Sequence, residues 1–577
     1  MNLTEIKSPA DIRNMSLDQL HTLAGALRSA LLKKLSVHGG HVGPNLGFLE
    51  PTIALHYVFD TPKDKIVFDV SHQTYVHKML TGRIEAFLDP AHYDDVTGYT
   101  NPAESPYDLF SIGHTSTAIG MASGLAKARD LAGGHERVVA VVGDGALSGG
   151  MAFEALDYAA ELKSNFIVVV NDNQMSIAPN HGGLYDDLAR LRETNGTASQ
   201  NIFRSLGFDY MYVPYGNDIA SLIEAFEKVK DCDHPVVVHI NTMKGEGYAP
   251  AERNKEAFHY SGPFDEATGD SPARPEWYTD IFAEHMLARM GADSRVAVIT
   301  AGVPGAIGFG PGRRERAGKQ FIDVGIAEEQ AVSMSAGMAK AGARPVVTEP
   351  ATFLQRSYDQ ISQDVAINGL NTVFVIFYGG VWGFNDETHL CFFDVPMISN
   401  IPGILFLEPT CREEYLAMLD WAIDRAECPT VVRTPSGRVV SRRGDFGSVD
   451  YATARYETVR EGRGTAIIAA GDFLPLGLEA ADALAAKGIS ATVINPRNVS
   501  RLDTATLDSL AGYDKIITLE DNAVEGGFGQ KVAAYMSGKG HKPSVHVLGL
   551  PTAFPDRFKA SDLMRECGLT PEAIAAI

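Results

Sequence analysis

At 577 residues the chain is longer than one hydrophobic core supports, because cores stop growing near ~250–300 residues, so two to four domains are expected. Hydrophobic residues at 45% and charged residues at 21% exclude a disordered protein, and a formal charge of −22 excludes a general nucleic-acid binder, which needs a surplus of Lys and Arg. Five cysteines without a CxxC pair exclude a zinc knuckle, an iron–sulfur centre and a disulfide framework, while a mixed-charge N-terminus and no run near ~18 apolar residues point to a cytoplasmic protein without a membrane span.

The stretch LDQLHTLAGALRSALLKKL has helical period and ends near His38, where Gly39 and Gly40 break it. Short apolar runs follow: KIVFDV (65–70), RVVAVVGDG (137–145), NFIVVVND (165–172) and PVVVHINT (235–242). Amphipathic helical stretches such as 151–162 and 219–230 separate them. Fully apolar strands alternating with helices mean a parallel sheet covered on both faces. The segment 249–277 is polar, rich in Pro and Gly, and reads as a connection between domains. The alternation restarts with VAVIT (296–300), QFIDVGI (320–326), RPVVTEP (344–350), TVFVIFYGG (372–380), GILFLEP (403–409) and TVVRTP (430–435). A second break at 437–462 precedes TAIIAAGD (465–472), SATVINPR (490–497), KIITLEDN (515–522) and SVHVLGL (544–550). The expectation is an α/β protein of three doubly wound, mainly parallel domains, at 1–275, 276–445 and 455–577.

Gly143-Asp144-Gly145 follows one strand and Asn171-Asp172-Asn173 ends the next. The carboxyl ends of neighbouring strands form the ligand crevice of such sheets, so both triplets are expected to face one site. A carboxylate from Asp144, an amide oxygen from Asn173 and the carbonyl of Met175 suit a hard Mg²⁺ that shares a diphosphate. Gly143 and Gly145 let the main chain approach phosphates, and a helix starting near Gly149 offers unpaired N–H groups to an anion. Alone, Gly-Asp-Gly is also a common turn. Paired with Asn-Asp-Asn it resembles the thiamine-diphosphate signature, and that cofactor needs a carboxylic group on its aminopyrimidine ring to activate its reacting carbon. Glu328, after a strand and at a helix start, is the candidate, against a plain helix-cap acid. Phe353 offers a stacking surface or core packing. His41, His72, His77, His114 and His259 lie in loops among glycines and hydroxyl residues, with His389 a further candidate; imidazoles there can polarise a carbonyl and move protons near neutral pH.

The segments HGGHVGPNLG, DVSHQTYVHKMLTGR, SIGHTSTAIG, GDGALSGGMAFEAL, NDNQMSI, KGEGYAPAE, IAEEQAV, TFLQRSYDQ and EDNAVEGGFG are similar to those of 1-deoxy-D-xylulose-5-phosphate synthases, in the transketolase superfamily, and the likeness covers essentially the whole chain. The resemblance implies diphosphate-binding, pyrimidine-binding and C-terminal domains in that order, a homodimer, thiamine diphosphate and Mg²⁺, and a role in isoprenoid biosynthesis. It implies decarboxylation of pyruvate and addition of the two-carbon unit to an aldehyde, D-glyceraldehyde 3-phosphate in the family. By position, it implies that His41, His72, His114 and His259 line the reaction centre, that Asp144, Asn173 and Met175 hold the metal, and that Glu328 activates the cofactor. Gly113, Ser116, Gly143, Gly145, Ala146, Lys244 and Phe353 would contact the cofactor, and Arg356 and His389 would sit toward the acceptor. Ketol transfer between sugars, or a paralogue that binds the cofactor without catalysis, are the alternatives.

The departures from the family pattern concentrate at the acceptor. Tyr378 and Ser436 stand where the family has arginines for the acceptor phosphate, Pro350 where it has a tyrosine, and Asn385 where it has an aspartate. Each charged hydrogen bond is worth ~1.5–3 kcal/mol, so losing two predicts roughly two to four decades weaker binding of a phosphorylated acceptor. A different aldehyde is then expected, unless Arg433 or Arg438 supplies the charge from a neighbouring position. The stretch Asn180 to Thr197 also lacks the long mobile insertion of the family.

Overall fold

The computed structural model describes residues 1–453 and 455–577. They form two compact units: residues 1–274 with 325–327, and residues 275–324 with 328–577.

The first unit is built on five parallel strands, β1 (Lys65–Phe68), β2 (Val138–Gly143), β3 (Phe166–Asp172), β4 (Asp209–Val213) and β5 (Pro235–Asn241), in the order β1-β2-β3-β5-β4. The first five residues of β2 and all of β3 are buried, as a sheet covered on both faces requires. Fully burying each such Val or Ile contributes about 1.5–3 kcal/mol, which makes this sheet the rigid floor of the loops above it. β4 carries no apolar run; its sequence DYMYV is half-exposed at the sheet edge, and sequence periodicity gave no sign of it.

The helix Leu17–His38 starts on a capping box, with Ser16 Oγ accepting from Gln19 N and Gln19 Oε1 accepting from Ser16 N. It ends at Gly39, φ 82°, where a Cβ would lie 2.7 Å from the Ser261 carbonyl, so only glycine fits. Beyond it, Gly40 and Ser261 exchange backbone hydrogen bonds of 2.8 and 3.0 Å. That bridge brings the segment after the first helix beside residues 258–261, two parts of the chain far apart in sequence.

The second unit carries two sheets. Strands β6 (Val296–Thr300), β7 (Phe321–Asp323), β8 (Arg344–Pro350), β9 (Val373–Phe377), β10 (Leu405–Leu407) and β11 (Thr430–Arg433) are all parallel, in the order β10-β11-β9-β8-β6-β7. Strands β12 (Glu457–Arg460), β13 (Thr465–Ala469), β14 (Ala491–Asn495), β15 (Lys515–Ala523) and β16 (Ser544–Leu550) run β12-β14-β13-β15-β16, with β12 alone antiparallel. Like β4, β12 is a half-exposed edge strand, inside the stretch 437–462 that its polarity marks as a break. The architecture is α/β with mainly parallel sheets, as the alternation of apolar runs and helices implies. Among the described residues no helix is long and apolar enough to cross a membrane, and all five cysteines are free thiols.

Candidate active site

In the first unit the loops after β2 and β3 are sewn together by one side chain. Asp144, 1% exposed, accepts Gly145 N on Oδ1 (2.8 Å) and both Asn173 N and Gln174 N on Oδ2 (3.1 and 2.6 Å). Asn173 Oδ1 accepts Met175 N at 3.2 Å. The parallel register places Gly143 opposite Asn171, so the two triplets lie side by side at the carboxyl ends of their strands. Burial, then the charge of Asp172, pushes the Asp144 carboxyl well above the ordinary range, a position that a cation would relieve.

The glycines fall into two kinds. A Cβ at Gly145 would lie 2.6 Å from Ser176 Cβ, and one at Gly149 2.2 Å from Ser116 Oγ, so both are fixed by protein packing. A Cβ at Gly143 would meet no protein atom within 4 Å, which leaves room beside it for a ligand. A short 3₁₀ turn at Gly145–Ser148 leads into the helix Gly150–Ala159, so main-chain donors follow directly on Asp144. Ser116 accounts for its own polar groups: its N–H donates to Asp69 Oδ1 (2.7 Å) and its Oγ to Ala146 O (2.7 Å). Ser116 and Ala146 therefore shape the loop through each other. Gly113 is buried and His114 half-buried just before them, ahead of the helix Ala118–Ala132.

Three histidines converge beside these loops. The rings of His41 and His72 are 5.0 Å apart, His72 and His259 5.2 Å, and His41 and His259 5.7 Å. Asn45 holds two of their backbones, its Nδ2 donating to His41 O (2.8 Å) and His72 O (2.7 Å). Burial, then the Lys244 charge, depresses His72 to about 3 and His259 well below the usual imidazole range, so both rings are neutral at physiological pH. His72 Nδ1 is buried without a hydrogen-bond partner. Lys244, 2% exposed, donates from Nζ to Ser176 O (2.5 Å) and lies 3.1 Å from His259 Nδ1; burial lowers it to about 7. His77 does not join the group. It is buried between His56 Nε2 (2.9 Å) and Asp108 Oδ1 (2.8 Å), and it serves the packing of the unit.

Behind the Asn-Asp-Asn loop, Asp172 accepts His239 Nε2 at 2.9 Å and is paired with Arg192. Arg192 belongs to the helix Gly183–Glu193, which also sends Tyr185 OH to Asp144 O (3.3 Å) and Gly145 O (3.4 Å). The short stretch after residue 180 is thus an ordered helix fastened to the loop.

In the second unit Glu328 opens the helix Glu328–Lys340 and is 3% exposed. Its Oε2 has no hydrogen-bond partner and lies 3.8 Å from Arg356 Nη1. Burial raises the carboxyl to about 7, with the Arg356 charge opposing the rise, so it holds or releases a proton near neutral pH. A second buried glutamate, Glu349 at the end of β8, accepts Ala301 N on Oε1 (2.5 Å), has an unpartnered Oε2, and is pushed well up by burial and by Glu328. Sequence reasoning missed it because Glu349 stands in a largely apolar strand and feels Glu328, which opens a helix, only through the fold. Phe353 packs edge-on against His389, ring centroids 5.6 Å apart, and His389 Nδ1 lies 2.8 Å from Thr388 Oγ1.

The positions that depart from the family pattern are turned toward protein. Tyr378, at φ 60°, donates its hydroxyl to Ala306 O (2.7 Å) and stacks on Phe384 at 4.7 Å. Ser436 Oγ donates to Gly379 O (2.7 Å), Asn385 Nδ2 donates to Phe558 O (3.0 Å), and Pro350 is buried at the end of β8. Arg433 cannot stand in for the missing arginines: it is 5% exposed, bidentate on Asp394 (2.8 and 3.0 Å) and bonded to Glu408 (3.2 Å) and Asp521. Arg438 is exposed.

These are features of an α/β protein whose first unit holds a buried acid at parallel strand ends with neutral histidines beside it, and whose second unit holds a buried carboxyl raised to about 7. Residues 3–200 and 194–242 match the family described as 1-deoxy-D-xylulose-5-phosphate synthase, residues 277–440 the transketolase pyrimidine-binding domain, and residues 454–574 the transketolase C-terminal domain. The 1-deoxy-D-xylulose-5-phosphate synthase of Desulforudis audaxviator is 40% identical, over 99% of this chain and 96% of its own length. Synthase 1 of Geobacter sulfurreducens is 39% identical, over 100% and 96%. A solved transketolase from Campylobacter jejuni covers 97% of this chain and 99% of its own at 17% identity and a TM-score of 0.45, which carries no weight beside those relatives. The chain belongs to the 1-deoxy-D-xylulose-5-phosphate synthase family, whose members are thiamine-diphosphate-dependent transferases.

Proposed function

We propose that this chain decarboxylates pyruvate and joins the remaining two-carbon unit to an aldehyde, with thiamine diphosphate and Mg²⁺ bound. The observation that carries the reading is the buried Asp144 beside open space at Gly143 in the first unit; the second unit separately holds a buried Glu328 whose Oε2 is unpartnered. Among the described residues no group of three His, Cys, Asp or Glu forms a metal site from protein alone. One carboxylate, one amide oxygen and a carbonyl, with phosphate oxygens and water completing the shell, is the donor set Mg²⁺ prefers. Asp144, Asn173 and the Met175 carbonyl would hold it. Gly113, His114, Gly143 and Gly145 would line the diphosphate, shaped by Ser116 and Ala146, with Lys244 as counter-charge, and Phe353 would stack on the aminopyrimidine.

When bound, thiamine diphosphate supplies a carbon nucleophile for the 2-oxo acid and an electron sink for loss of CO₂. Glu328, raised to about 7, would hold a proton on the aminopyrimidine and take it back. Neutral His72 and His259, with His41 beside them, would donate ring N–H hydrogen bonds to the carbonyl oxygen without adding charge. His389 and Arg356 would face the incoming aldehyde. We further propose a cytoplasmic homodimer with domain limits at 1–275, 276–445 and 455–577.

The test is release of CO₂ from pyruvate by the purified chain with thiamine diphosphate and Mg²⁺, with and without aldehydes. Thiamine-dependent CO₂ with a matching carboligation product is expected. Ketol transfer between sugars releases none, so its detection without CO₂ would overturn the reading.

A further inference from the structure

The acceptor wall of the second unit shows what it has done with the groups that bind anions. Ser436 and Gly437 present two consecutive main-chain N–H groups, the small concave arrangement that receives an anion. Both are already taken: Asp472 Oδ2 accepts Ser436 N at 2.7 Å and Gly437 N at 3.2 Å. Nearby, the Arg433 guanidinium has five N–H donors, and four of its contacts go to Asp394, Glu408 and Asp521. The Cβ position at Gly379 would sit 2.4 Å from Arg433 Nε and 2.9 Å from Asp394 Oδ2, and Ser436 Oγ binds the Gly379 carbonyl, so the guanidinium cluster lies directly behind this loop. Tyr378, the neighbour of Gly379 in the chain, begins an aromatic series: it stacks on Phe384 (4.7 Å, 23°), Phe384 is edge-on to His389 (6.0 Å), and His389 is edge-on to Phe353 (5.6 Å).

We propose that the acceptor end selects an uncharged aldehyde and rejects a phosphorylated one, because the chain's own carboxylates fill the anion-binding groups of this wall and the aromatic series that starts at Tyr378 offers no charge in their place. A phosphate dianion brought here would meet Asp472 instead of unpaired N–H groups, and would leave water for carbon surfaces that return none of its hydrogen bonds. An aldehyde with an aliphatic or hydroxylated tail loses far less on entry. The inference rests on the carboligation reading above and names Asp472 as a specificity-determining residue, with Tyr378 and Phe384 as the surface beside it.

The experiment compares D-glyceraldehyde, propanal and D-glyceraldehyde 3-phosphate as acceptors for the full chain with pyruvate, thiamine diphosphate and Mg²⁺, following both CO₂ and the coupled product. The uncharged aldehydes are expected to exceed the phosphorylated one in kcat/KM by about a hundredfold, the scale of two absent charged hydrogen bonds. Equal or better use of the phosphorylated aldehyde overturns the inference and leaves carboligation standing. Absence of thiamine-dependent CO₂ with every acceptor overturns the carboligation reading itself. In Asp472→Asn, and in Asp472→Ser as a second variant, the preference should narrow by about tenfold as the carboxyl that occupies the Ser436 and Gly437 N–H groups goes. Thermal midpoints identify which variant is folded, and an unchanged preference in a folded variant removes Asp472 from the account.

Discussion

The loops of the first unit and the acceptor wall of the second handle buried charge in opposite ways. Around Gly143 the chain buries Asp144 without a counter-ion bonded to it and lowers Lys244 by burial, so both groups are pushed toward their neutral forms, which a ligand carrying metal and phosphate would reverse. Around Ser436 the chain supplies its own partners: Arg433 is ringed by Asp394, Glu408 and Asp521, and the Ser436 and Gly437 N–H groups are capped by Asp472. An unsatisfied buried group is costly unless something else completes it, whereas a satisfied network is inert toward small ligands. On the proposed reading the first region binds an ion, and the second is closed to one.

Breaking the reactive side of this comparison should produce the largest effect. Replacing Glu328 with Ala is expected to lower pyruvate-dependent CO₂ release by about 10²–10⁴-fold while thiamine diphosphate still binds, as rates and calorimetry on the same preparation would show. A loss of binding equal to the loss of rate would make Glu328 a cofactor anchor and nothing more.

The same residue predicts a pH signature in the ligand-free chain. Its folded-state value of about 7 lies above the ordinary 4.5, so the stabilising neutral form is fully present below pH 4.5 and its benefit is lost as pH rises through 7. The wild type should lose stability relative to Glu328→Gln between pH 5 and 8 by on the order of 3 kcal/mol, read from paired denaturation curves. Parallel curves would show that the carboxyl is ionised throughout.

Removing the Asp144 carboxylate is next. Asp144→Asn keeps the size of the side chain and is expected to weaken Mg²⁺-dependent binding of thiamine diphosphate by about 10–100-fold, on the scale of altered metal-site ligation. Unchanged affinity in the presence of Mg²⁺ would place the ion elsewhere. The smallest effect sharpens the acceptor side: Tyr378→Arg combined with Ser436→Arg should raise kcat/KM for D-glyceraldehyde 3-phosphate by about tenfold, below the full worth of two guanidiniums because Asp472 remains. No gain in a folded double variant would detach those positions from acceptor binding.

Much of this arrangement was legible from residues alone. β2, β3, β5, β6 and β8 announce themselves as apolar runs because both faces of each sheet are covered, whereas β4 and β12 are edge strands whose exposed side chains erase the signal. Gly-Asp-Gly and Asn-Asp-Asn could be paired because neighbouring parallel strands end together. His77 could not be separated from His72, since what claims it is His56 on a buried helix and Asp108 beyond it. Asp472, Glu349 and Asn45 act through contacts between distant segments, and a single sequence carries no spacing that reveals them. Whether Arg433 was available to a phosphate was equally open, because its carboxylate partners come from residues 394, 408 and 521.

The most direct measurement is calorimetric titration of thiamine diphosphate into the purified full chain in the presence and absence of MgCl₂. Saturable binding of one cofactor per chain, strongly weakened when the metal is withheld, is the result expected from a buried Asp144 beside the open space at Gly143. Heats indistinguishable from dilution with the metal present would contradict it.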